Sequence, residues 1–221
     1  MGNHVEINKE ELIGALKAVS EKIEENKEYL SKLDTEIGDG DHGFSMANGF
    51  SSMAEKLQEY AGLSIGEILK KSGFELIKKI GGAAGAVFGT FFTGQASYYQ
   101  KNLNEKDTLS LQDMVSMLGE AVDQIQKRGG AKPGDKTMID ALLPAVEALK
   151  KAAKDNKTFS EAFKLAAEEA RKGAESTRDM VAKKGRSKNL GERSVGYMDP
   201  GAESTHLIFK AFAEFFEKIG K

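Results

Sequence analysis

The sequence has no cysteine at all. That excludes disulfides, thiolate metal sites and a cysteine nucleophile, and it is compatible with a reducing compartment. Proline is nearly absent too, at Pro133, Pro144 and Pro200 only, so few positions force a helix to break. No apolar run reaches the roughly 18 residues that a membrane-spanning helix needs. The N-terminus, MGNHVEINKEE, lacks a basic segment followed by an apolar one, which argues against a secretion signal. Gly2 is followed by Glu6 where an N-myristoylation motif has Ser or Thr. Large excess charge is missing as well: 32 Lys and Arg against 34 Asp and Glu leave a net charge of -2. General polyanion binding is therefore excluded as a bulk property, and any nucleotide or metal chemistry must come from local charge. These absences together lead us to expect a soluble, cytoplasmic protein.

What the sequence does have is helical spacing. With 221 residues and 40% hydrophobic content, the chain can bury a sizeable core without staples. Capping signals recur as Asn8 with Glu11, Ser64 with Glu67, Ser110 with Asp113 and Thr158 with Glu161, each a polar cap with an acid three residues on. The apolar periodicity predicts eight helices, roughly over 8–33, 43–60, 64–80, 84–103, 110–128, 136–154, 158–183 and 202–219. No stretch alternates as a strand would. Short connections make successive helices antiparallel neighbours. The exception is 184–201, a long, basic, Gly-rich segment whose length points to function or disorder. With no linker and no repeat, 1–221 reads as a single domain.

Four segments interrupt the helices with unusual chemistry. The first, DTEIGDGDHG, begins at Asp34 and carries Asp39 and Asp41. On one continuous helix Asp34 and Asp41 would stand about 10 Å apart along the axis, whereas oxygens around one Mg²⁺ are about 3 Å apart. Gly38 and Gly40 let the backbone fold back and gather the three carboxylates, with the first helix ending near Asp34. Clustered carboxylates repel unless exposed, protonated or bound to a cation. The bland alternative is a solvated turn in which Asp41 caps the next helix. An EF-hand is excluded, because its acidic spacing and closing Glu are absent.

The second segment, IGGAAGAVFGTFF from Ile80, opens a helix with Gly81, Gly82 and Gly85. Its backbone N–H groups suit a phosphate, or its small residues let two helices approach closely. It is not a Walker A loop, since the Lys-Ser/Thr ending is missing. The third, RGGAKPGDKTM from Arg128, contains a Pro-Gly turn and Asp135 as a candidate N-cap. Thr137 and Met138 then fall in the first turn of the following helix, and Met138 either faces a base or packs in the core. The fourth holds Arg186, Lys188 and Arg193, then Asp199-Pro200-Gly201. It reads as a phosphate-contacting loop or as a solvated loop ending in a helix-start turn. In an up-and-down array all four precede even-numbered helices and so share one end, which favours a joint nucleotide–metal site.

In this order, GDGDHG, GGAAG, PGDKTM, GRSKNLGERS and DPGA resemble the nucleotide-binding (L-type) subunits of bacterial dihydroxyacetone kinases that depend on the phosphotransferase system. The resemblance implies an all-α, eight-helix antiparallel up-and-down closed barrel with ADP or ATP and two Mg²⁺ at one end. It implies Asp34, Asp39 and Asp41 as metal ligands, and His42, Gly43, Phe44 and Ser45 as nucleotide contacts from the same loop. Ala83 and Ala84 would offer N–H groups to phosphate, while Gly129, Met138, Arg186, Asp199, Pro200 and Gly201 would enclose base and ribose. Two positions depart from the family: Ala84 stands where Ser is common, and Ser45 where Asn is common. Losing a hydroxyl at Ala84 leaves its N–H in place.

The implied activity is phosphoryl transfer, in which positioning and charge neutralisation do most of the catalysis. A phosphohistidine carrier would phosphorylate the bound nucleotide. A separate K subunit would hold dihydroxyacetone covalently and supply the general base, so no catalytic side chain is assigned here. None of the histidines is expected to carry a phosphoryl group: His42 is a phosphate-side contact, and His4 and His206 are surface or packing residues. The alternatives are a kinase domain that exchanges ATP freely and a nucleotide-sensing module that controls a transcription regulator. The absence of a surplus apolar stripe favours a monomer.

Overall fold

The computed structural model describes residues 5–104 and 106–221. The expectations for Gly2 and His4 lie outside the described residues. Among the described residues nine α-helices follow one another: α1 (Lys9–Glu25), α2 (Lys27–Ile37), α3 (His42–Tyr60), α4 (Ile65–Ile80), α5 (Gly82–Asn102), α6 (Leu111–Gly129), α7 (Ile139–Lys154), α8 (Phe159–Ser176) and α9 (Pro200–Lys218). The capping signals explain four of the starts. Asn8, Ser64, Ser110 and Thr158 each accept a hydrogen bond from the N–H three residues on, and the acid there bonds back to the cap N–H. Each box satisfies two of the helix's orphan donors.

The expected first helix is two helices. Asn26 leaves helical geometry at φ -108° and ψ 9°; its side-chain amide donates to the Lys22 carbonyl at 2.8 Å, and its carbonyl accepts from Leu30 N–H. One short asparagine side chain thus competes with the backbone ladder and separates α1 from α2. The other boundary shifts are local. The helix expected to reach 183 ends at Ser176 and passes into a 3-10 turn at Thr177–Asp179. Within the expected loop, Arg186–Ser194 forms 3-10 turns kinked at Gly191. A two-stranded antiparallel pair, β1 (Glu6–Asn8) and β2 (Thr108–Ser110), was not expected. At three residues each, the strands are too short to show alternation.

Neighbours along the chain pack together from α3 to α9, α1 packs on α3, and α9 returns onto α1. These eight helices therefore form a circuit of neighbours, while α2 lies against α3 and α9. One continuous cluster of buried side chains fills the interior. Phe163 anchors it, touching Phe209, Phe212 and Phe216 at ring-centroid distances of 5.2–6.2 Å. Elsewhere small residues bring backbones close. A Cβ on Gly89 would lie 2.3 Å from Ile77 and 2.8 Å from the Gly73 carbonyl, so α4 and α5 meet at glycines. Pro144 sits inside α7 and cannot donate to the Asp140 carbonyl. That carbonyl abuts Gly173 of α8, where an added Cβ would come within 2.1 Å.

Candidate functional site

The N-termini of α3, α5, α7 and α9 meet around one cleft of about 390 Å³, within the size range of small-molecule sites. Asp34 and the Asp39–His42 loop contribute to one wall and Gly81–Ala84 to another. Gly129, Lys136–Met138, Lys184–Ser187 and Asp199–Gly201 complete the lining. No described helix is long and apolar enough to cross a membrane.

The acidic wall is built by α2 and the loop after it. Contrary to the expectation that the first helix ends near Asp34, Asp34 lies inside α2, which continues to Ile37. The Asp34 carboxylate is held in two ways. It accepts from His42 N–H at 3.2 Å, and it occupies the space in front of Gly38, where a Cβ would lie 2.0 Å from its Oδ1. Gly40 turns the chain at φ +78°, returning Asp39 and Asp41 to Asp34. One carboxylate oxygen from each of the three lies within 4.8 Å of the others. Asp41 occupies the N-cap position of α3 but makes no side-chain capping bond, so the bland capping alternative is not realised. Three converging carboxylates fit divalent cations, and a two-metal site holds its ions about 3.5–4 Å apart. The positive charge present at the cluster is Arg186, whose guanidinium pairs with Asp39.

Opposite lies the start of α5. Gly81 and Gly82 have φ of +70° and +54°, and a Cβ on either would meet nothing. No side chain caps this helix. The N–H groups of Gly82, Ala83 and Ala84 precede the first intrahelical bond, from Gly85 N–H to the Gly81 carbonyl at 2.8 Å. The two readings of this segment separate by position: Gly81 and Gly82 shape an uncapped, anion-favouring terminus, while Gly89 serves helix packing.

The third wall differs from expectation. Asp135 does not cap a helix starting at 136; its carboxylate accepts from Lys132 N–H at 2.9 Å, closing the Pro-Gly turn. Lys136 has a φ of +62°, which a continuing helix does not tolerate, so α7 begins at Ile139. Asp140 supplies the acceptor, bonding Thr137 N–H at 2.9 Å and Gly134 N–H. Met138 lines the cleft and also packs on the core. The Lys136 side chain is almost wholly buried, and burial lowers its pKa. Its ammonium donates to the carbonyls of Thr177, Ser194 and Tyr197 at 2.6–2.7 Å and of Met180 at 3.2 Å.

Asp199 caps α9 by accepting from Ala202 N–H at 2.8 Å. Burial, with Asp140 and Asp34 nearby, raises its pKa to about 7, although the Ala202 bond and Lys136 oppose this. The His42 ring meets Ser204 Oγ at 2.8 Å. Burial lowers its pKa to about 4 against a backbone bond at Pro200, so it is neutral at pH 7 and able to donate or accept one hydrogen bond at each nitrogen.

Of the fifteen residues singled out for binding, thirteen line the cleft, including Ser45, Ala83, Ala84, Gly129 and Met138. Gly43 and Phe44 do not. Gly43 is buried against α2, where a Cβ would come within 1.8 Å of the Lys27 carbonyl. The Phe44 side chain is exposed, and its N–H donates to Ser31 Oγ at 3.3 Å. Sequence reasoning assigned no binding role to Lys136, Thr137, Lys184 or Ser187, though all four stand beside residues it did assign. His206 pairs with Glu203 of its own helix at 3.2 Å, a packing role.

The DAK2 domain family matches residues 36–214. The chain belongs to the DAK2 domain family. This DAK2 domain is 39% identical to the ADP-binding subunit DhaL of the PEP-dependent dihydroxyacetone kinase of Escherichia coli K12, over 94% of this chain and 97% of that one. It is 36% identical to the ADP-binding subunit DhaL of the PTS-dependent dihydroxyacetone kinase of Lactococcus lactis, over 88% and 91% respectively. Among solved structures it resembles the dihydroxyacetone kinase of C. freundii in complex with AMP-PNP and Mg²⁺, with a TM-score of 0.74 and 26% identity. That match covers 97% of this DAK2 domain but only 36% of the C. freundii chain, so the domain corresponds to about a third of that kinase.

Proposed function

We propose that the chain is the ADP/ATP-binding subunit of a dihydroxyacetone kinase and acts as one unit over 1–221 in the cytoplasm. The observation that carries this reading is the meeting, in one cleft, of three converging carboxylates with an uncapped helix N-terminus. The relatives named as ADP-binding subunits, and the solved kinase holding AMP-PNP with Mg²⁺, support it.

In this reading Asp34, Asp39 and Asp41 hold two Mg²⁺. When bound, the ions neutralise phosphate charge and orient the transferring group. The N–H groups of Gly82, Ala83 and Ala84 receive phosphate oxygens. Backbone donors suffice there, so the missing hydroxyl at Ala84 removes one contact without removing the cradle. His42, uncharged at neutral pH and set by Ser204, meets the phosphate side as a neutral hydrogen-bonding group. Met138 offers an apolar face to the base, and Gly129, Asp199, Pro200 and Gly201 enclose the rest of the nucleoside. Arg186, on the basic loop that lines the cleft, supplies positive charge.

The phosphoryl group passes from a phosphohistidine carrier to the nucleotide, and from it to dihydroxyacetone on a K subunit, giving dihydroxyacetone phosphate. Every group assigned on this chain binds or positions, and the general base is assigned to the K subunit. The test is reconstitution with a K subunit and a phosphohistidine carrier. Product formation that depends on the carrier, with ADP retained through gel filtration, is expected. Binding of a transcription regulator without product from any donor would contradict the reading. The AMP-PNP complex of the solved kinase favours a second reading, free ATP exchange. Rapid exchange of bound ADP for ATP would select it.

A further inference from the structure

The basic loop that lines the cleft is tied down by hydrogen bonds. Its two arms leave from Thr177 at the end of α8 and arrive at Asp199 at the start of α9. Lys136 sits between them. Its ammonium is nearly inaccessible and has no carboxylate in contact; instead it bonds Thr177 and Met180 on the outgoing arm and Ser194 and Tyr197 on the returning one. A lysine carries three N–H donors, and all of them are spent on this loop. Burying an ammonium is costly unless hydrogen bonds replace its water, so the arrangement is stable only while both arms are present. Supporting bonds tighten the same knot. Asp199 N–H donates to Thr177 Oγ1 at 2.9 Å, Ala182 N–H to Ser194 Oγ at 2.9 Å, and Lys183 N–H to the Asp135 carbonyl at 3.1 Å. Between the clamped arms lie Lys184, Gly185, Arg186 and Ser187, all on the cleft, with Arg186 reaching Asp39 across it.

We propose that Lys136 is a positioning residue: it clamps the two arms of the 177–197 loop and so holds Arg186 over the cleft, setting how long nucleotide stays bound. The inference rests on the nucleotide-binding reading above. Its content is that Lys136 acts through Arg186 and not through direct contact with the nucleotide. Charged hydrogen bonds carry enough free energy for their loss to change a lifetime by about tenfold or more.

The test is a double-mutant cycle on release of radiolabelled ADP from the full chain with Mg²⁺. Lys136→Met and Arg186→Ala should each speed release by about tenfold, and the double variant should release no more than about twofold faster than either one. Hydrogen exchange without nucleotide should show 177–197 deprotected in Lys136→Met while α4, α5 and α6 stay protected. If Lys136→Met does not fold, Lys136→Gln, which keeps two donors, carries the same cycle with a smaller effect. A double variant whose acceleration is the product of the two singles would overturn the proposal, as would unchanged ADP release in the lysine variant. If the wild-type chain binds no ADP, the nucleotide reading fails by itself. Hydrogen exchange then still decides the clamp: unchanged protection over 177–197 in the variant overturns it.

Discussion

Arg186 and Asp39 form an ion pair across the mouth of the cleft, joining the basic loop before α9 to the acidic loop before α3. Both side chains are substantially exposed, and such pairs contribute little stability, about 0–1 kcal/mol. The guanidinium nevertheless stands where a cation bound by Asp39 would balance the same charge, so Arg186 and a metal ion would compete for one carboxylate.

That competition predicts opposite effects of one substitution. Arg186→Ala should tighten Mn²⁺ binding to the nucleotide-free protein by about two- to fivefold, because an exposed charge pair is worth under about 1 kcal/mol. The same variant should bind ADP with Mg²⁺ more weakly. Calorimetry on both ligands checks this; a change in the same direction for both would remove Arg186 from the acidic cluster.

The glycines of the two walls should behave differently. Gly38→Ala puts a Cβ 2.0 Å from Asp34 Oδ1, so it should displace that carboxylate, abolish tight metal binding and destabilise the fold by about 1–3 kcal/mol. Gly82→Ala meets no atom and suffers only its positive φ, a cost of about 1 kcal/mol. Metal binding should survive it. Melting curves and Mn²⁺ titration of both variants distinguish the two mechanisms.

Asp199 makes stability depend on pH. Its folded pKa is raised from 3.8 to about 7, so the folded state holds a proton that the unfolded state has already released. The stability associated with neutral Asp199 is fully present below about pH 4 and is lost as pH rises through about 7. Asp199→Asn keeps a competent cap and cannot ionise. With divalent cations chelated, its stabilisation over wild type should be greater at pH 8 than at pH 5 by ~1–3 kcal/mol. Equal differences at the two pH values would show that Asp199 ionises normally.

Much of the frame was legible because its signals are local. The boxes at Asn8, Ser64, Ser110 and Thr158 involve residues three apart and formed as read. The reading that Gly38 and Gly40 fold the chain so that three aspartates converge also held. The departures came where a residue acts over distance. Asn26 is a local exception: its amide bonds the carbonyl of Lys22 only four residues back, inside a stretch whose apolar spacing continues the helix. Lys136 drew no assignment from the sequence, since its four partners lie 41 to 61 residues away. Its left-handed backbone also explains why Asp135 does not cap α7. Phe44 shares the acidic motif with its neighbours but turns outward, because Gly43 fixes the first turn of α3 against α2.

The proposed function stands or falls on Asp34, Asp39 and Asp41 binding Mg²⁺ that in turn holds a nucleotide. Native mass spectrometry of the protein isolated in Mg²⁺ tests it most directly, with wild type and Asp39→Asn compared. One ADP and two Mg²⁺ are expected on the wild-type chain, with loss of both from the variant at unchanged helicity. ADP retained equally by Asp39→Asn, or a wild-type chain that carries neither ligand after incubation with both, would contradict it.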